Sequence, residues 1–95
     1  MRCEELKLHD FVISTDNKGE FNEESHYEIV VMVSTDGTHI SHDGKVKNYA
    51  QNKIKNYCYV TFYRFSDKRY YLDVYKEESR NKENQDMYIL ISRAQ

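Results

Sequence analysis

Residues 57–77 read YCYVTFYRFSDKRYYLDVYKE, and this stretch decides the fold. Aromatic and β-branched side chains dominate both sides of the polar SDKR segment, which is typical of two strands joined by a short turn. We therefore predict an antiparallel hairpin with strands at residues 57–65 and 70–77.

One face of this hairpin is a candidate tyrosine surface. Two-residue alternation places Tyr59 and Tyr63 on one face of the first strand, and Tyr71 and Tyr75 on one face of the second. A turn of odd length would bring the four rings together, whereas a turn of two or four residues would separate them. If both faces of the sheet are covered, the same tyrosines instead fill a small core and reach water with their hydroxyl groups.

The rest of the chain also favours strands. Asp36-Gly37 is a hairpin signal, and the β-branched segment before it is bounded by turn residues. The three glycines all fall where a turn is expected, and the chain contains no proline. The further predicted strands span residues 6–13, 26–34, 38–41 and 87–91.

Residues 45–56 are predicted to form a short amphipathic helix. Val46, Ala50 and Ile54 are spaced by four and line one helical face, and Asp43 is a candidate N-cap. The alternative is a hairpin strand that follows a turn at Asp43-Gly44.

This pattern gives the order β-β-β-α-β-β-β. We expect a single α+β domain spanning residues 1–95, with the helix packed on one face of a mostly antiparallel sheet. The alternative, if residues 45–56 are not helical, is a small all-β barrel.

Charge is distributed unevenly along the chain. Residues 1–44 carry three basic and ten acidic side chains, a net of −7, whereas residues 45–95 carry eleven basic and six acidic, a net of +5. Between Lys45 and Arg64 there are five basic residues and no acidic one. Such asymmetry indicates a charged partner or pairing between the two halves of the chain. The basic candidates for partner contact are Lys47, Lys53, Lys55 and Arg64.

Several classes of protein are not indicated by the sequence. The longest uncharged apolar run, at residues 29–33, is far shorter than a membrane span needs. The first ten residues lack an apolar signal core, so we expect a cytoplasmic protein. No phosphate-binding loop, nucleotide-binding fingerprint or zinc-ligand spacing occurs, so no cofactor is expected.

A catalytic or metal site would have to involve His39 and His42. The two residues form an HxxHD motif with Asp43, but positions three apart on a strand point to opposite faces. A small hydrolase or metal site here is therefore the third hypothesis, and we expect no enzymatic activity.

The leading hypothesis is a small protein-binding module that inhibits or regulates another macromolecule. Its size and composition resemble those of small accessory proteins of phages and mobile elements. Tyrosines would supply contact area, and the basic residues would steer the partner. The alternative is nucleic-acid binding, in which the same tyrosines stack on bases and the lysines contact phosphates. Exposed strand edges would also allow a homodimer.

Overall fold

Strands dominate the part of the chain that the computed structural model describes, which is residues 3–16, 18–48, 57–76 and 87–94. The only helical element among these residues is one 3-10 turn, Cys3–Glu5. The strands are β1 Phe11–Ser14, β2 Tyr27–Ser34, β3 Thr38–Ile40, β4 Val46–Asn48, β5 Tyr57–Arg64, β6 Arg69–Lys76 and β7 Tyr88–Ser92.

Five strands form one antiparallel sheet in the order β6-β5-β2-β1-β7, and β3 and β4 form a separate two-stranded hairpin. A β-bulge interrupts the pairing of β2 with β5 between Val30 and Met32. The predicted, mostly antiparallel sheet is confirmed.

The sheet is strongly curved. Strands in a sheet lie about 4.8 Å apart, so the edges of a flat five-stranded sheet would be roughly 19 Å apart. Nevertheless, Tyr88 on edge strand β7 donates a hydrogen bond from its hydroxyl to Asp73 on edge strand β6, at 2.7 Å. The edges approach each other but do not pair, so the predicted barrel does not close.

The concave side of the sheet, here called the inner face, holds the core. Phe62 is fully buried there and stacks on Tyr88, with 4.8 Å between ring centroids. The 3-10 turn contributes Cys3, and Leu6 follows it, so the N-terminal segment covers part of this face. The remaining buried members of the cluster are Val12, Val30 and Val60.

The convex side, here called the outer face, is partly covered by the β3–β4 hairpin. The backbone N–H of Ile40 donates to the hydroxyl of Thr61, which is fully buried, at 3.2 Å. His42, in the turn of the hairpin, bonds through Nδ1 to the carbonyl oxygen of Tyr70 at 3.0 Å. The hairpin therefore extends to β6.

An ion pair between buried Asp10 and partly exposed Arg93 ties the two ends of the described chain together. Asp10 is fully buried, and both of its carboxylate oxygens accept hydrogen bonds from Arg93, each at 3.2 Å. The backbone N–H of Lys7 adds a third hydrogen bond to this carboxylate, at 2.9 Å. The segment before β1 is thus held against the residue that follows β7.

The helix predicted over residues 45–56 is wrong for residues 46–48, which form β4. Asp43 does not cap a helix, because Gly44 adopts φ +90° and Ser41 donates its backbone N–H to the carbonyl of Lys45 at 2.7 Å. This turn begins a hairpin, as the alternative proposed. A Cβ on Gly44 would also lie 3.5 Å from the ring of Tyr70. Residues 49–56 lie outside the described residues.

The turn between β5 and β6 has four residues, Phe65 to Lys68. Arg64 pairs with Arg69, and the N–H of Lys68 donates to the carbonyl of Arg64 at 3.0 Å. Because this number is even, Phe62 lies opposite Tyr71 and Tyr63 lies opposite Tyr70. The single-face tyrosine surface, which required an odd turn, is therefore wrong.

The same turn carries backbone strain at Lys68, whose φ is +58°. A left-handed conformation costs a non-glycine residue about 1–2 kcal/mol, and glycine's greater flexibility offsets part of the relief. We expect Lys68→Gly to raise the free energy of unfolding by about 0.5–1 kcal/mol in urea titrations. Lys68→Ala removes the charge and keeps the strain, so an equal gain in that control would contradict the backbone explanation.

Candidate functional site

The eight residues predicted to bind a partner do not form one surface. Lys53 and Lys55 lie outside the described residues. The other six are divided among three places: Tyr59 and Tyr63 on the outer face, Arg64, Tyr71 and Tyr75 on the inner face, and Lys47 on β4.

Two of the four predicted tyrosines belong to packed parts of the structure. Tyr59 is buried, and Tyr75 is half-buried and packs against the inner-face core. The alternative in which tyrosine fills a small core therefore describes these two residues.

A different set of rings forms a continuous aromatic row on the outer face. Neighbouring ring centroids are 5.3–5.9 Å apart, and the row crosses β1, β2, the end of β5 and β6. Its most exposed members are Tyr27, with 53% of its surface accessible, and Phe65, with 46%. The aromatic row consists, in spatial order, of Tyr27, Phe11, Phe65, Tyr63 and Tyr70.

Strand register explains how these rings meet. The N–H of Phe65 donates to the carbonyl of Tyr27 at 3.3 Å, so the β2–β5 ladder continues one residue past β5. Phe11 lies opposite Ile29 on β2, and its ring therefore fits between those of Tyr27 and Phe65. Tyr63 then contacts both Phe65 and Tyr70.

Sequence reasoning found only part of the aromatic row. Tyr63 was predicted, whereas Phe11 and Tyr27 were missed because they lie on strands far from the tyrosine-rich stretch in sequence. One available signal was the four-residue SDKR segment, since a turn of even length places Tyr63 and Tyr70 on the same face.

The inner face opens into a cleft of about 650 Å³ near one end of the sheet. Glu28 is buried there and accepts a hydrogen bond from Nε of Arg64 at 3.3 Å. The guanidinium of Arg64 also lies over the ring of Tyr71, 3.7 Å from its centroid. The polar and aromatic side chains around the cleft include Glu23, Glu24, His26, Asp73 and Tyr88.

Burial controls the ionisation of Glu28. Loss of water raises the pKa of this carboxyl above its ordinary value of 4.5, and the neighbouring Arg64 opposes that rise. The folded protein therefore holds this proton more tightly than the unfolded chain does. The contribution of Glu28 to stability falls as the pH rises from about 4.5 through the raised pKa.

The Glu28→Gln variant tests this linkage. We expect the free energy of unfolding of the variant to fall less between about pH 4.5 and pH 7 than that of the wild type, because the titrating group is gone. Urea titrations at several pH values measure the difference. Glu24→Gln removes an exposed carboxylate of the same cleft, and an identical change in that control would contradict the role of burial.

The histidines do not converge on one site. His39 is buried and bonds through Nδ1 to the carbonyl of Gly37 at 2.9 Å. His42 is exposed and lies between the carbonyl of Tyr70 and the guanidinium of Arg69, with Nε2 3.1 Å from Nη1. Among the described residues, no group of three or more His, Cys, Asp or Glu side chains could hold a metal ion.

The acidic and basic segments lie on opposite sides of the sheet where they are described. Glu23 and Glu24 line the inner-face cleft, whereas Lys45 and Lys47 belong to the hairpin that covers the outer face. The acidic loop therefore does not cover these two lysines.

Comparisons with known proteins give no family for this chain. No protein-family model, curated protein or solved structure matches it. None of the helical structure in the described residues is long and apolar enough to cross a membrane.

Proposed function

We propose that this protein is a small protein-binding module that contacts its partner through the aromatic row. The observation that carries the proposal is the exposure of Tyr27 and Phe65 within a continuous line of five rings. Large contiguous apolar patches on the surface of a monomeric protein usually mark a binding site. Tyrosine and phenylalanine are enriched at the centres of protein interfaces, because they supply large, rigid contact areas.

The partner that suits this surface is a protein with an apolar groove. Phe11 and Phe65 would fill the groove, and the hydroxyl groups of the three tyrosines would donate to acceptors at its rim. As the sequence predicts, this small, cytoplasmic protein would inhibit or regulate its partner by covering part of the partner's surface. Of the predicted basic contacts that the structure describes, Lys47 belongs to the hairpin on this outer face and would steer the encounter, whereas Arg64 lies on the inner face against Glu28.

Ring geometry favours a protein over a nucleic acid. A base stacks on the open face of a ring, whereas Phe11 already stacks on Tyr27, with planes 9° apart, and Tyr63 is edge-on to Phe65. The described lysines of the basic segment, Lys45 and Lys47, belong to the β3–β4 hairpin rather than to the strands that carry the rings.

The Phe65→Ser variant tests the proposal. Wild type and variant are immobilised and exposed to a lysate of the source cell, with and without nuclease treatment, and the captured protein is identified and purified. Because Phe65 is a ring at the exposed centre of the row, we expect about 30-fold weaker binding of the purified protein by the variant. Titration calorimetry measures that affinity.

A matched control and a nucleic-acid probe complete the experiment. Val46→Ser alters another exposed apolar side chain, 67% accessible on β4 and outside the row, and should bind as the wild type does. A single-stranded 20-nucleotide DNA or RNA should not bind at low salt. Equal binding by Phe65→Ser and the wild type, or capture that nuclease abolishes, would overturn the proposal.

A further inference from the structure

The outer edge of β7 differs from an ordinary exposed edge. Within the described residues, only β1 pairs with β7. The strand reads YILIS and contains no charged residue, and Ile89 and Ile91 remain 45% and 47% accessible. An uncharged, apolar edge is a surface on which another strand can pair.

The opposite edge of the sheet is protected. β6 includes the charged residues Arg69 and Asp73, and the carbonyl oxygen of Tyr70 is already hydrogen-bonded to His42. Charged side chains and covering segments are the usual means by which proteins prevent edge pairing. The contrast in charge and in covering segments makes β7 the more open of the two edges.

Hydrogen bonding within the sheet fixes the direction of the backbone groups of β7. Thr15 donates its N–H to the carbonyl of Met87 at 2.8 Å, so Met87 faces β1. Bonded and non-bonded positions alternate in an antiparallel ladder, and Ile13 lies opposite Ile89. The N–H and carbonyl of Leu90 consequently point away from β1, toward the open edge.

We propose that β7 pairs antiparallel with β7 of a second copy of this chain, about a two-fold axis at Leu90. The two Leu90 residues then exchange both backbone hydrogen bonds, and Ile89 of each copy lies opposite Ile91 of the other. The dimer joins two five-stranded sheets into one of ten strands.

A second copy suits this edge because the strand is complementary to itself. In the two-fold pairing, every residue of β7 lies opposite an uncharged residue of the other copy, and both exposed isoleucines are covered at once. A β-bulge follows Leu90, since Val12 lies opposite Leu90 and Phe11 opposite Ser92. The bulge increases the local twist and is the one described feature of β7 that disfavours edge pairing, but it adds no charge to the edge.

Dimer formation does not depend on the aromatic row, and its test has a different readout. Sedimentation equilibrium of the wild type over a range of protein concentrations should give twice the chain mass of 11.5 kDa. Ile89→Lys places a charge at the pairing surface and should weaken dimerisation at least about tenfold. Circular dichroism checks that this variant retains its sheet.

Cysteine substitution tests the register. In the proposed pairing, residues 89 and 91 of different copies form a non-bonded pair with Cα atoms about 4.5 Å apart, which a disulfide can span. Two copies of residue 89, or two of residue 91, lie on a diagonal about 7–8 Å apart and beyond its reach. A mixture of Ile89→Cys and Ile91→Cys should therefore cross-link under mild oxidation, and neither variant should do so alone.

The wild type, with Cys3 and Cys58, is the control for the native thiols. A monomeric mass at about 100 μM would overturn the proposal. Cross-linking of Ile89→Cys with itself would overturn the register. If the wild type is monomeric and Ile89→Lys no longer captures the partner protein, then β7 pairs with a strand of that partner and the dimer proposal is wrong.

Discussion

Arg93→Ala should lower the free energy of unfolding by about 2–4 kcal/mol, one of the two largest losses expected in this chain, because Asp10 is buried although Arg93 is 38% accessible. Asp10 is fully buried, and Arg93 supplies two of the three hydrogen bonds described above for its carboxylate. Removing the guanidinium leaves a buried charge without its counter-ion, which costs far more than an exposed ion pair contributes.

A matched pair of variants separates the effect of burial on stability from that of charge. Lys45 lies 3.9 Å from Asp43 in an ion pair that is exposed on both sides, so Lys45→Ala should change stability by less than about 0.5 kcal/mol. Urea titration of both variants measures the two effects. The double variant Asp10→Leu/Arg93→Met should recover most of the loss, and equal losses in Arg93→Ala and Lys45→Ala would contradict the explanation.

Phe62→Ala should also cost about 3–5 kcal/mol. The ring is fully buried at the centre of the inner face and stacks on Tyr88, so its removal leaves a cavity and deprives Tyr88 of its neighbour. Tyr88 also holds Asp73 across the edges of the sheet, and we expect loss of packing there as well.

Because a domain of this size is only modestly stable, the Phe62→Ala variant will have a free energy of unfolding close to zero. Phe62→Leu keeps most of the volume and should lose about 1–1.5 kcal/mol, which chemical denaturation measures directly. Phe65→Ala removes a ring that is half accessible, and we expect a loss below about 1.5 kcal/mol. Equal losses at positions 62 and 65 would contradict the assignment of the core to the inner face.

Local patterns in the sequence predicted most of the strands. Residues 26–34, 57–65 and 70–77 were predicted as strands and correspond, within one residue at either end, to β2, β5 and β6. The local sequence is enough to predict these strands, because runs of β-branched and aromatic residues bounded by turn residues have few alternative secondary structures. Residues 6–13 were less well predicted, since Leu6 packs on the core outside any strand.

The errors arose where a local signal admits two structures. The four-spaced apolar residues after Asp43 fit a helix, but the left-handed glycine at position 44 directs residues 46–48 into a hairpin. The turn after β5 was predicted one residue late, at residues 66–69 instead of 65–68, and the arrangement of the tyrosines depended on whether its length was odd or even. One residue of loop length decides which face every side chain of a strand occupies.

Contacts between distant residues were beyond sequence reasoning. Asp10 and Arg93 are separated by 83 positions, and nothing in either neighbourhood indicates the other. The aromatic row likewise joins Phe11 and Tyr27 to a hairpin almost forty residues further along the chain. Both features follow from the placement of β1 between β2 and β7.

That placement also governs how the chain reaches its fold. β1 is near the beginning of the sequence, and one of its two neighbours, β7, is near the end. The β5–β6 hairpin closes over a few residues, whereas β1 and β7 must find each other across nearly the whole chain, at a much greater cost in loop entropy. We expect the hairpin to form early and the β1–β7 seam, with its Asp10–Arg93 pair, to set the folding rate. During synthesis, one side of β1 stays uncovered until β7 emerges.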